Sequence, residues 1–282
     1  MFAAWVAAVV ASPYQLPISA PGLVEVGKGY HALPSGRPAS AQEIAVAARG
    51  KRFVLVGESH DNADHHRAQA EVIRALVADG RRVSVGMEMF TFDNQANLNP
   101  WSRGFWTDEQ FIERSNWQTQ WGFDYALYKP IFDAVKEHRL PLVALNVPRA
   151  WVRAMAQGGP DAMTDEMRAR VPRMDMGVTA HRALFNALME GHPPGGALDR
   201  IYTGQVMWDE GMAANALAFM ARRPSERDVM VIVAGNGHIM HGVGIGKRIQ
   251  MTTGEPVVTV AAVESDAPET VSKGLGDFVY RP

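Results

Sequence analysis

The sequence predicts an α/β protein with a mostly parallel central sheet flanked by helices and an inserted helical subdomain. Three observations carry that expectation. Short continuous apolar runs such as RFVLVG (52–57) and DVMVIVAG (228–235) suit strands covered on both faces. Helical patterns alternate with these runs, as βαβ units require. An apolar fraction of 47% over 282 residues is normal for a globular chain, far above that of a disordered one.

The elements follow in order. Residues 1–11, MFAAWVAAVVA, are apolar but too short to span a bilayer. They suit the hydrophobic part of a secretory signal, with Val9 and Ala11 as the small residues before cleavage at Ser12, although a basic n-region is missing. Residues 12–40 are rich in Pro, Gly and Ser and read as an extended lead-in with a hairpin near Gly27–Gly29. The remainder, 41–282, reads as one α/β domain. Its first helix starts at Ser40, an N-cap with Glu43 three residues on in a capping-box pattern, and stops at Gly50.

The strand RFVLVG, a helix over about 62–78 with Ala70, Ile73, Leu76 and Val77 on one stripe, and the strand RRVSVGMEMF (81–90) form a βαβ unit. Further strands are LPLVALNVP (140–148), the run ending in GNGHI (228–239) and EPVVTVAAV (255–263). Helices are expected near 128–138, 148–157, 180–191 and 203–222, and the block 148–225 reads as the helical insertion over the sheet.

Composition removes several function classes. The chain has 28 basic and 30 acidic residues without basic runs, so no nucleic-acid surface is expected. With no cysteine, disulfides, thiolate metal sites and a catalytic thiol are excluded, and any metal must rest on His, Asp, Glu, Tyr, Met or water. Phosphate loops, dinucleotide fingerprints, GxSxG elbows and HExxH helices are absent.

In open parallel sheets ligands bind outside the carboxyl ends of the strands. Here the first strand ends in Gly57-Glu58-Ser59-His60, the second in Glu88, the third in Asn146 and the fourth in Gly235-Asn236-Gly237-His238. Four strand ends therefore present two His, two Glu and one Asn to one edge. Glu58, His60, Glu88 and His238 are the candidate catalytic set, weighed against helix capping by Glu58 and local hydrogen bonding by His60. His65 and His66, adjacent in the first turn of a helix, diverge by about 100°. At most one faces the site, and capping or bracing is the expected role.

GESHDNADHHRAQ, MEMF, WQTQWGFDYALYKPI, LNVPR, QVMWDEGMA and GNGHIMHGVGIGKRI, in that order, resemble the ChaN-like haem-binding uptake family, a relative of the Tiki and erythromycin-esterase proteins. The resemblance runs from about residue 30 to 262. It implies an α/β fold with an inserted helical part, and a periplasmic or exported, membrane-associated protein of haem or iron acquisition that works as a homodimer around its ligand. A lipid anchor on cysteine is impossible in the sequence as written.

Two functions follow. The first is haem binding, which needs an apolar slot, an axial Tyr, His or Met, and basic groups for the propionates. Tyr202, His181 and His192 are the axial candidates, among Tyr125, Tyr128, Met207 and Met212 with Arg168, Arg173 and Arg182 nearby in sequence. Such residues at helical spacing are also ordinary core. The second is a hydrolase on a small-molecule substrate. His60, Glu88 and His238 would hold zinc or manganese with Glu58 as base, or His60 would act as base without a metal. Asp209 would close the site or pair with an arginine.

Overall fold

A computed structural model describes residues 12–189 and 196–282. The signal-like segment 1–11 and the axial candidate His192 lie outside the described residues.

The strands are β1 (Leu23–Glu25), β2 (Gly29–Ala32), β3 (Arg37–Ala39), β4 (Phe53–Glu58), β5 (Arg82–Thr91), β6 (Leu142–Asn146), β7 (Asp228–Gly235), β8 (Val258–Ala262), β9 (Thr270–Ser272) and β10 (Phe278–Arg281). The helices are α1 (Ala41–Ala47), α2 (Ala63–Ala78), α3 (Gln95–Ser102), α4 (Asp108–Arg114), α5 (Trp117–Gln120), α6 (Tyr125–Glu137), α7 (Arg149–Gly158), α8 (Asp165–Arg170), α9 (Thr179–Leu188), α10 (Gly196–Met220), α11 (Asn236–Ile239) and α12 (Ile245–Thr253).

Among the described residues the main sheet runs β3-β2-β10-β8-β4-β7-β5-β6, and β1 pairs separately with β9. Every pairing from β10 to β6 is parallel, while β2 and β3 add an antiparallel edge. The lead-in is thus more than an extended arm, because its second half forms two strands of the sheet. Ser40 caps α1 by accepting a hydrogen bond from the Glu43 amide, whereas the Glu43 carboxylate pairs with Arg37.

Strand alternation splits the core. Val54, Val56, Val83 and Val85 face the layer of α1, α2 and α6, while Phe53, Leu55, Met230 and Ile232 face α10 and α12. The long α10 lies against the sheet through Met212, Ala213, Ala216 and Met220.

The order of strands positions the site. The unit β4-α2-β5 does not end on the neighbouring strand; it leaves a place that β7 later fills, between β4 and β5. Their carboxyl ends therefore meet side by side, with Glu58 paired to Gly235. That is the crevice where open α/β sheets bind ligands.

Candidate functional site at the strand ends

Glu58 is the last residue of β4 and fully buried. Its carboxylate accepts from His60 Nδ1 at 2.5 Å, from His66 Nε2, and from the Tyr128 hydroxyl at 3.2 Å. Burial would raise its pKa, but the two imidazoles outweigh burial and hold it below the ordinary carboxylate range. Since Nδ1 of His60 is committed to Glu58, Nε2 forms no hydrogen bond among the described residues. His60 is also the member that reaches solvent, with 34% of its side chain exposed. Trp121 and Phe123 flank its ring, with centroids at 4.7 and 5.3 Å. Burial opposes a charge on His60, but Glu58 and Glu88 raise its pKa.

Glu88 lies where the register of β5 against β6 shifts, between Met87 and Thr91. Such irregularities re-aim side chains next to sites. One Glu88 oxygen accepts from the Gly235 amide at 2.8 Å, and the other lies 3.3 Å from His238 Nε2. Gly235 is required here by contact rather than by backbone angle. A Cβ at this position would stand 2.8 Å from His60 Cε1 and 3.6 Å from Glu88 Oε2. Likewise a Cβ on Gly57 would stand 2.3 Å from Asn236 Oδ1. The glycines at the head of GESH and GNGH let the two strand ends close over each other.

His238 sits between two carboxylates, with Nδ1 at 2.7 Å from Asp209 Oδ1 and Nε2 facing Glu88. Burial disfavours its charge, but Glu88 and Asp209 prevail and raise its pKa to about 10. It is therefore an imidazolium at neutral pH, donating from both nitrogens. Glu88 and Asp209 are correspondingly held low by His238, against the effect of burial. The Gln205 side-chain amide also lies 3.0 Å from the same Nδ1, where only its oxygen could accept from the imidazolium.

Behind Asp209 the network continues. Arg248 Nη2 donates to His181 Nδ1 at 3.1 Å, so the His181 proton belongs on Nε2. That nitrogen is 2.8 Å from Asp209 Oδ2, close but outside hydrogen-bond geometry. The Tyr202 hydroxyl also meets His181 Nδ1, at 3.1 Å.

The candidate set of Glu58, His60, Glu88 and His238 thus comes together. His66 joins it on Glu58, while His65 braces the loop, accepting from the Ser59 amide and donating to the Val263 carbonyl. Asn146 and Asn236 likewise clamp strand-end backbone. Of the axial candidates, Tyr202 and His181 are each 1% exposed and bonded to one another inside the helical layer. Asp209 pairs with two histidines and not with an arginine. Among the described residues no group of three or more His, Asp or Glu is arranged to hold a metal ion. Tyr128 on Glu58 and Gln205 on His238 carry no local signal in the sequence, because both sit on helices far along the chain from their partners.

A sequence model described as "Haem-binding uptake, Tiki superfamily, ChaN" matches residues 44–249, most of the chain and all of this cluster. The chain belongs to that family. Among solved structures it is similar to ChaN of Campylobacter jejuni, described with cofacial haem binding. The identity is 18%, covering 91% of this chain and 98% of that one, with a TM-score of 0.63. It is also similar to the type III effector HopBA1, at 13% identity over 86% of this chain and 93% of that one, TM-score 0.50. An erythromycin esterase, EreC, in its open conformation has 14% identity over 84% and 77% of the two chains, TM-score 0.49. At these identities the likeness is one of fold. None of the curated proteins matches the chain. Among the described residues no helix is long and apolar enough to cross a membrane.

Proposed function

We propose that this protein binds haem at the mouth of the strand-end cluster and serves haem uptake as an exported protein. The observation that carries the reading is His60. Its Nδ1 is locked on a buried carboxylate and its Nε2 is unoccupied at a partly exposed, aromatic-flanked edge. A metal-bound histidine is held in this way, the second nitrogen donating to a carboxylate that fixes ring and tautomer. The donor set therefore fits haem, which would bring an iron needing an axial nitrogen and a large apolar face. His60 would supply the nitrogen. Trp121 and Phe123, with the exposed Leu188 that reaches the backbone at Gly237, would meet the macrocycle. Tyr202 and His181 would act behind this edge, holding Asp209 and His238 in place. The family match supports the ligand class, and the apolar run 1–11 supports export.

The test is a haemin titration followed in the visible spectrum. A Soret shift is expected for the native protein and its loss in His60→Ala, with Tyr202→Phe retaining it. No shift with the native protein, or an unchanged shift in His60→Ala, would overturn the reading.

The same dyad favours a second reading, hydrolysis. His60 Nε2 can take a proton from water as it attacks an ester carbonyl, with Glu58 stabilising the imidazolium and cationic His238 supplying nearby positive charge. Turnover of p-nitrophenyl acetate that vanishes in both His60→Ala and Glu58→Gln would establish it. Turnover unchanged in these variants would reject it.

A further inference from the structure

On the far side of Arg248 from the strand-end cluster lies a separate cavity of about 270 Å³, between α8, α10 and α12. Its apolar wall is Ala213, Ala214 and Leu217, and its polar end is Arg248, Glu210 and Arg173. Arg248 is 1% exposed. Its Nη1 donates to the Val243 and Gly244 carbonyls and its Nη2 to His181. The third donor group, Nε, has no hydrogen-bond partner, and the nearest acceptor, Glu210 Oε1, is 3.6 Å away. That Glu210 oxygen already accepts from the Asp175 amide at 3.1 Å. Arg173, exposed at the rim, forms no hydrogen bond or ion pair among the described residues. Arg170, which also lines the cavity, is occupied, donating to Asn215 and stacking on Phe92.

A buried donor left without an acceptor is costly, and a buried guanidinium more so. Three guanidinium groups line the cavity against one carboxylate, Glu210, and among the described residues neither the Nε of Arg248 nor the head of Arg173 has a hydrogen-bond acceptor, so the cavity is short of negative charge. Apart from Thr252 and Arg170 its remaining wall is aliphatic, and its volume is below that of sites for drug-sized ligands.

We propose that this cavity is a second ligand site, for a small monocarboxylate with an alkyl chain of about four to six carbons. The carboxylate pairs with Arg173 and with the free Nε of Arg248, and the chain lies on Ala213, Ala214 and Leu217. A bare inorganic anion lacks the apolar part, and a neutral alcohol lacks the charge.

Calorimetric titration of the full-length protein with hexanoate tests this, with 1-hexanol and chloride as comparators. Saturable binding of hexanoate alone is expected. Ala214→Phe, a change at a half-exposed wall position, should abolish it by filling the cavity. Arg173→Ala, at the surface, should weaken it roughly tenfold by removing one charge-assisted contact. The proposal is overturned if hexanoate does not bind, if hexanol binds equally well, or if Ala214→Phe leaves binding intact.

Discussion

Gly235 shows how one residue without a side chain sets the chemistry of its neighbours. Its amide holds Glu88, and its bare Cα leaves the volume that the His60 ring occupies. In Gly235→Ala the added methyl, 2.8 Å from Cε1, must displace the imidazole, since the ring stands at the partly exposed edge while β7 is held between β4 and β5 in the sheet. Haemin affinity is therefore expected to fall about tenfold, with stability to urea changing by less than about 1 kcal/mol. An affinity equal to the native value would show that the ring position does not matter to the ligand. At this scale the four strand-end residues were legible because a single rule, that strand ends collect ligands, applies to each apolar run separately. The partners that tune them were only partly so. The sequence points to Asp209 as closing the site or pairing with an arginine, and to at most one of His65 and His66 facing it, while Tyr128 on Glu58 and Gln205 on His238 carry no signal. Asp209, His66 and Tyr128 meet the cluster only through helix packing, and that depends on rotations no short motif encodes.

Helix α10 carries Gln205 and Asp209 to the site, and its seating depends on Gly204 and Gly211. A Cβ on Gly211 would lie 2.3 Å from Val147 Cγ1, and one on Gly204 would lie 3.2 Å from Val152 Cγ1. In an exposed helix interior, Gly→Ala would stabilise by roughly 1 kcal/mol through propensity. Here the methyl meets a buried β-branched side chain with no room to turn, and overpacking of this kind costs about 1–3 kcal/mol. Gly211→Ala is thus expected to lower the urea midpoint despite its better helix propensity, and a raised midpoint would contradict this account of the packing. The long helices and the central strands were legible from periodicity and capping. The stretch from α3 to α5 was not, because its helices are short and interrupted by Pro100, Gly104 and Gly122, which leaves no sustained period to read. β9 and β10 were missed for a related reason: at three and four residues they are too short to show alternation and exist by pairing with distant strands.

Across the whole molecule the titrating groups pull in two directions, and their signs predict where folding is most stable. His60 and His238 have pKa values raised in the folded protein, His238 from 6.5 to about 10. Their stabilisation is complete below the unfolded value near 6.5 and is lost as pH rises through the folded values. His65 and His241 are held low by burial, so they favour the unfolded chain as pH drops below 6.5. Glu58, Glu88 and Asp209 are also held low, and their stabilisation is lost as pH falls from the ordinary carboxylate range through the folded values. The buried neutral histidines thus lose stability below about pH 6.5 and the paired carboxylates further down, in the ordinary carboxylate range, while the cationic histidines decline above 6.5, which puts the maximum near that value. Urea unfolding at pH 5, 6.5 and 9 should give a peak at the middle value. In His238→Gln the alkaline decline should shrink; on the acid side the part that Glu88 and Asp209 owe to that imidazolium should shrink with it, while the part due to His65 and His241 persists. If the variant keeps the full alkaline loss, His238 is not charged between its two carboxylates and the electrostatic account of the cluster fails.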